Sequence, residues 1–463
     1  MGLGNAEVVE EHVRQHRIVV LPGVDDDVLV TSGDQSLGDR SQLYELRARA
    51  DNAHDFHTLI LCNDLLSSLT TGWGARLRPV ADTMTGMRVL VVVPWFPSDL
   101  APGSGIFNLR DVRLLAREHE VTVLHLVRPE FVSADESFIS VADEGFGIER
   151  VPYGIASPAT LLPAVRRVRE MLNEADLVHS MAFSALPVMR LARPRIPWVH
   201  TEHYSQLIAP PRSRAEAIAL GALKRLFRYP TETVAVSSSL AAVIDRYRRV
   251  PSTVVGNEVM MPVQRILEHR PEAIGSTPMR VRLLGVGGVV DRKGPMQAVE
   301  AMIEMRQRSI DASLTWVGEG DLAVKLRRRV AAAGVTDHLH LPGHLPPEKL
   351  SEELLDADVF LLPVETETFG VAIAEALAHG LPVVASGTGG HEEFLPPEAS
   401  RVVDERSPGV LADAVLELLS DPELWTKLRI SDYAASRFSP ETRSVEYRGV
   451  YDRAIRGWMA RRH

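Results

Sequence analysis

The sequence predicts an α/β protein built as two doubly wound domains in tandem, and three observations carry that prediction. From Met87 onward, short wholly apolar runs alternate with helical stretches. The alternation stops in a segment rich in charge and turn formers, residues 259–278, and it resumes at Val281. Apolar runs without polar alternation suit strands buried on both faces, as parallel strands covered by helices are. At 463 residues the chain exceeds what one hydrophobic core organises. The pattern assigns residues 87–258 to a first domain, 279–438 to a second and 439–463 to a C-terminal helix.

Residues 1–86 stand apart. They hold 13 acidic and 7 basic residues, a turn-rich stretch over 23–39 and only two short apolar runs, 18–21 and 59–62, too few for an independent core. They read as a loosely packed appendage, or as an extension upstream of a true start at Met84 or Met87. The first strong strand is 88–93, ended by Pro94 and a turn-rich loop through Gly105. A helix over 107–118 follows, with Leu109, Val112, Leu115 and Ala116 on one face. Strands are expected at 121–126, 177–180, 198–201 and 233–236, with a helix over 162–173. In the second domain they are expected at 281–285, 314–317, 339–341, 359–362 and 381–385. Ser439-Pro440-Glu441 starts the last helix, because a serine cap, a proline at the first helical position and an early carboxylate each suit its exposed amides.

Composition removes several classes. With 45% hydrophobic and 24% charged residues, disorder, collagen-like repeats and coiled coil have no support. A formal charge of -10 argues against non-specific nucleic-acid binding, so any anion site is local. Cys62 is the single cysteine, which excludes an intrachain disulfide and a cysteine zinc site. No apolar run reaches the roughly 18 residues of a spanning helix, and the polar start does not resemble a secretory leader. The expected location is the cytoplasm.

Tandem doubly wound domains place a cleft between the carboxyl ends of two sheets, where a nucleotide can lie. Gly285-Val-Gly287-Gly288 lacks the third glycine of a dinucleotide fingerprint, which argues against NAD. The informative stretch runs from Pro363 to Ala376, where a strand passes into a loop and a helix starts near Gly370. Glu367 falls in the loop and Glu375 in the second helical turn. Carboxylates accept hydrogen bonds from hydroxyl pairs on ribose or hexose. The free amides of Phe369, Gly370 and Val371 favour a diphosphate. A capping role for Glu367 and a solvated position for Glu375 are the alternatives.

Two carboxylates enclosing seven residues, with Phe369-Gly370 between them and Gly380-Leu-Pro-Val-Val after them, resemble the donor signature of glycosyltransferase family 4, a retaining family of GT-B fold. Asp176-Leu-Val-His179, Thr201-Glu-His203, Val255-Gly-Asn257, Val317-Gly-Glu-Gly320 and Gly389-Gly-His-Glu392 follow the family's order, and the similarity spans about residues 87–451. The resemblance implies that Glu375 binds ribose hydroxyls and that Glu367 contacts the transferred sugar. It implies that Lys293, beside Gly294, holds the diphosphate, that His203 contacts the donor sugar, and that Gly105 lies where the first domain approaches the donor. Most members carry an arginine five positions before that lysine. Here Gly288 stands there, and Arg292 is the candidate to compensate. His179 and His200 are expected to be structural.

The implied reaction moves a hexosyl unit from a nucleoside diphosphate sugar to a hydroxyl acceptor, with retention and without a metal or other cofactor. Between residues 161 and 250 there are 14 basic and 7 acidic residues, including Arg212, Arg214, Lys224, Arg225 and Arg228 around an apolar helix. That excess suits peripheral contact with an anionic membrane or lipid-linked acceptor, although such a run is more often simply a solvated face. A non-hydrolysing sugar-nucleotide epimerase and an inactive nucleotide-sugar-binding regulator are the other readings.

Overall fold

The computed structural model describes residues 16–20, 28–32, 86–131, 138–141, 145–155, 157–211, 213–262 and 280–461. Most of the N-terminal 86 residues, Cys62, Arg212 and most of the expected linker lie outside the described residues. Before residue 86, β1 (His16–Val20) and β2 (Val28–Ser32) pair antiparallel.

The first lobe is an eight-stranded sheet. Its strands are β3 (Arg88–Val93), β4 (Glu120–Val127), β5 (Phe138–Val141), β6 (Phe146–Pro152), β7 (Leu177–Met181), β8 (Trp198–Glu202), β9 (Glu232–Ala235) and β10 (Thr253–Val254), in the order β10-β9-β8-β7-β3-β4-β6-β5. All pairs are parallel except the edge pair β5–β6. Five of the six residues of β3 are buried, because helices cover both faces. β5, β6 and β10 are not among the expected strands: Phe146–Pro152 carries Glu149 and Arg150 in its middle, and β10 is two residues long.

The second lobe is a six-stranded parallel sheet of β11 (Val281–Val286), β12 (Ala312–Val317), β13 (Leu339–Gly343), β14 (Val359–Leu362), β16 (Val383–Ser386) and β18 (Ser400–Val403), in the order β13-β12-β11-β14-β16-β18. A short separate ladder joins β15 (Thr366–Glu367) to β17 (Thr388–Gly389). This ladder brings the loop that carries Glu367 beside the loop at Gly389.

Five helices matter for the site. They are α1 (Ile106–Ala116), α2 (Arg214–Lys224), α3 (Ser238–Asp245), α4 (Val371–Ala378) and α5 (Pro440–Ala460). α5 begins as its sequence indicates, with Pro440 in the first turn and the Ser439 hydroxyl accepting from the Thr442 amide. It then returns to the first lobe. Tyr447, Val450, Tyr451, Ala454 and Ile455 are buried with Val89, Val91, Leu177, Val199 and Val234, so the C-terminal helix closes one face of the first sheet. Tyr447 donates to buried Asp111 at 2.7 Å, and Tyr451 bonds His179 at 3.0 Å.

Candidate active site

The first lobe contributes α1 to the region where the lobes meet. Its cap, Gly105, has φ 62°, and a β-carbon there would overlap the Trp95 carbonyl. The glycine at this position is therefore required by the chain's own turn. Asn108 donates its amide to the same Trp95 carbonyl at 2.7 Å, which fixes the helix start. The next residues along one helix face are Phe107 and Arg110. The Phe107 ring lies 4.5 Å, centroid to centroid, from the His203 ring. Arg110 reaches across to the second lobe, its Nη2 2.7 Å from Glu375 Oε1.

His203 is positioned by a carboxylate beneath it. Glu202 is fully buried, and its Oε1 accepts from the amides of His203 and Tyr204 at 2.9 and 2.8 Å. Its Oε2 lies 3.3 Å from His200 Nε2. A buried carboxylate satisfied this way holds the loop rigidly. Neither ring nitrogen of His203 makes a well-formed hydrogen bond, although Asn257 lies beside the ring. Burial, then the nearby His200, push His203 down to about 3, so the imidazole is neutral near pH 7. His200 and His179 are occupied structurally: His200 meets Ser180 at 2.9 Å, and His179 meets Thr201 at 2.7 Å.

The second lobe carries the charges. Lys293 ends a short helical turn, Asp291–Lys293, and its Nζ donates to Glu367 Oε1. The two side chains are 18% and 12% exposed, so both face inward. Burial, and secondarily Arg292, push Lys293 down to about 7. An anion against Nζ opposes that push, so Lys293 keeps its charge best when a carboxylate or phosphate faces it. Arg292 itself is exposed and makes no ion pair among the described residues; its carbonyl accepts from Glu365 N at 2.9 Å. Gly288 lies near the Glu319 backbone, with no cation at that position.

Gly370 caps α4 with φ 87° and no side-chain bond, so the first amides there lack an intrahelical partner. Val371 is the first helical residue. The Phe369 side chain is buried against Phe394 and Phe438, at ring distances of 5.0 and 5.5 Å. Glu375, in the second turn, is 5% exposed.

Sequence reasoning missed two residues. His391 is fully buried with both ring nitrogens unpaired, its β-carbon 3.1 Å from where one on Gly370 would stand. Burial lowers its basicity, and the Lys293 charge adds to this. It lies inside the quoted glycine loop, so the buried unpaired ring was the missing signal. Arg110 belongs to no motif, and nothing in the sequence pairs it with Glu375.

Two family models match the chain. One, described as Glycosyltransferase Family 4, covers residues 86–259, and the other, Glycosyl transferases group 1, covers 270–436. Each takes one lobe. The chain belongs to glycosyltransferase family 4. This glycosyltransferase, with nucleotide sugar as donor, has the GT-B arrangement of two doubly wound lobes, and the epimerase and regulator readings give way. It is 29% identical over 311 residues to a GDP-mannose-dependent alpha-(1-6)-phosphatidylinositol monomannoside mannosyltransferase of Mycolicibacterium smegmatis, covering 65% of this chain and 74% of that protein. It is 28% identical to the 2-deoxystreptamine glucosyltransferase of Streptomyces kanamyceticus, over 42% of this chain and 54% of that protein.

Among solved structures, the sucrose-phosphate synthase of Thermosynechococcus elongatus matches with a TM-score of 0.61 at 20% identity, covering 79% of this chain and 98% of that one. Anabaena HepE in complex with UDP matches with a TM-score of 0.62 at 17% identity, covering 79% and 100%. These likenesses establish the fold. Among the described residues, no helix of the glycosyltransferase is long and apolar enough to cross a membrane.

Proposed function

We propose that this glycosyltransferase moves a hexosyl unit from a nucleoside diphosphate sugar to a hydroxyl acceptor with retention at the anomeric carbon. The observation that carries the reading is the largely buried Lys293–Glu367 pair, with Glu375 buried in the second turn of α4 behind its uncapped start. Lys293 and the free amides of Phe369, Gly370 and Val371 would receive the diphosphate, and Glu375 the ribose hydroxyls. Gly105 would approach the donor through its backbone, and Arg292 would add charge at the diphosphate. Glu367 would exchange its bond to Lys293 for sugar hydroxyls once the diphosphate takes over the lysine. A neutral His203 supports a hydrogen-bonding role toward the sugar. Charge developing on the leaving diphosphate would be held by fixed dipoles and Lys293, so the reading includes transfer without a metal.

The relatives' GDP-mannose and the UDP bound to a structural neighbour make these the first donors to try. A thermal-shift screen with GDP-mannose, UDP-glucose and ADP-glucose selects the donor, because only a binder raises the melting temperature. With it, product NMR is expected to show a retained anomeric configuration, and EDTA is expected to leave the rate unchanged. Glu367→Ala and Lys293→Ala should each lower turnover by about 10²–10³-fold; full turnover in both would overturn the assignment.

The acceptor reading includes peripheral membrane contact through α2. Ile218 is 55% exposed there, with Arg214, Arg225 and Arg228 exposed around it. Co-sedimentation with anionic but not zwitterionic liposomes is the expected result, and equal recovery with both would remove the membrane contact.

A further inference from the structure

Glu375 is the donor-signature carboxylate whose charge is met from the other lobe. Its Oε1 is buried, out of hydrogen-bond alignment and 2.7 Å from Arg110 Nη2, while no hydrogen bond among the described residues occupies Oε2. Arg110 is held in turn: its Nη1 lies 3.4 Å from the Glu258 carbonyl, and α1 is tied down behind it by the bond from Asn108 to Trp95 and by Asp111 accepting from Tyr447. A guanidinium anchored on both sides can orient a carboxylate, whereas a glutamate on a helix with no partner samples several rotamers.

We propose that Arg110 is a positioning residue for the donor ribose. By pinning Oε1 of Glu375 it leaves Oε2 to accept from a ribose hydroxyl. Because Arg110 comes from the first lobe and Glu375 from the second, the ribose site is complete only when the lobes meet. The inference rests on the reading that Glu375 holds the ribose.

Calorimetry on the full chain tests it with GDP and UDP, each against its 2′-deoxy counterpart. For the wild type the ribonucleotide that binds is expected to do so about tenfold more tightly than the deoxy form, the worth of one hydrogen bond to a charged group. Arg110→Met should bring that ratio toward one while the deoxy affinity stays near its wild-type value, and Arg110→Lys should restore part of it. A ratio unchanged in Arg110→Met, or an equal loss for both nucleotides, would overturn the proposal. Glu375→Ala, which removes the acceptor, separates the two layers. If it leaves the ratio intact, the ribose reading itself fails; if it abolishes the ratio and Arg110→Met does not, Arg110 alone is misassigned. Arg110→Gln, which leaves a neutral hydrogen-bond donor beside the buried carboxylate, keeps the comparison available should Arg110→Met fold poorly, its ratio expected below that of the wild type.

Discussion

Glu393 of the second lobe caps a helix of the first: its two carboxylate oxygens accept from the backbone amides of Ser238 and Ser239 at 2.9 and 3.0 Å. Those amides open α3, where a negative charge is favourable. Beside this contact a β-carbon on Gly390 would overlap the side chain of Ser237, so the lobes touch backbone to side chain. Removing the cap with Glu393→Ala should cost about 1 kcal/mol of this contact. The expected result is a larger radius of gyration by small-angle X-ray scattering and a weaker donor affinity. An unchanged radius would show that the cap does not hold the lobes together.

Donor affinity should fall with rising pH. Lys293 is depressed to about 7 by burial and Arg292, and the charged form binds a diphosphate. The attraction is present below that value and is lost as the pH climbs through and beyond it, the midpoint moving upward while an anion faces the amine. Lys293→Arg, which stays protonated, should flatten the dependence, as calorimetry across the range would read.

His203→Ala should reduce turnover by the same factor throughout the neutral range. Its imidazole is held near 3 and does not change charge there. A factor that varies between mildly acidic and mildly basic buffer would show that His203 titrates in the working range.

Asp111 links the fold to pH. Burial raises its carboxyl from 3.8 to about 7, with Glu258 adding to the rise and Tyr447, Arg443 and Arg110 opposing it. The folded protein thus keeps a proton that the unfolded chain releases. This contribution to stability is full below 3.8 and is lost as the pH rises through about 7. Asp111→Asn keeps an acceptor for Tyr447 and should remove that part of the slope in a plot of melting temperature against pH. A slope identical to the wild type would contradict it.

The strands buried on both faces were legible because their residues are apolar without interruption, as in Arg88–Val93 and Val359–Leu362. β6 was not, since Glu149 finds Arg167 at 2.6 Å, and a paired charge hides a strand from its pattern. The donor segment was legible for a local reason: Gly370 caps α4, and Glu375 follows within the same helix. Gly105 was expected at a donor approach, and its own requirement comes from the Trp95 carbonyl.

By itself the sequence determined the alternation of strand and helix, the start of α5 at Ser439 and the spacing that sets Glu367 and Glu375 around one helix start. Each depends on neighbours within a few residues, where propensity, periodicity and capping act. Only the tertiary structure decided that Arg110 faces Glu375, that Glu393 caps α3, and that Tyr447 reaches Asp111 across 336 positions of chain. Those pairs form because burial of apolar faces brings distant elements together, and a charge or hydroxyl carried into such a seam must find its partner there.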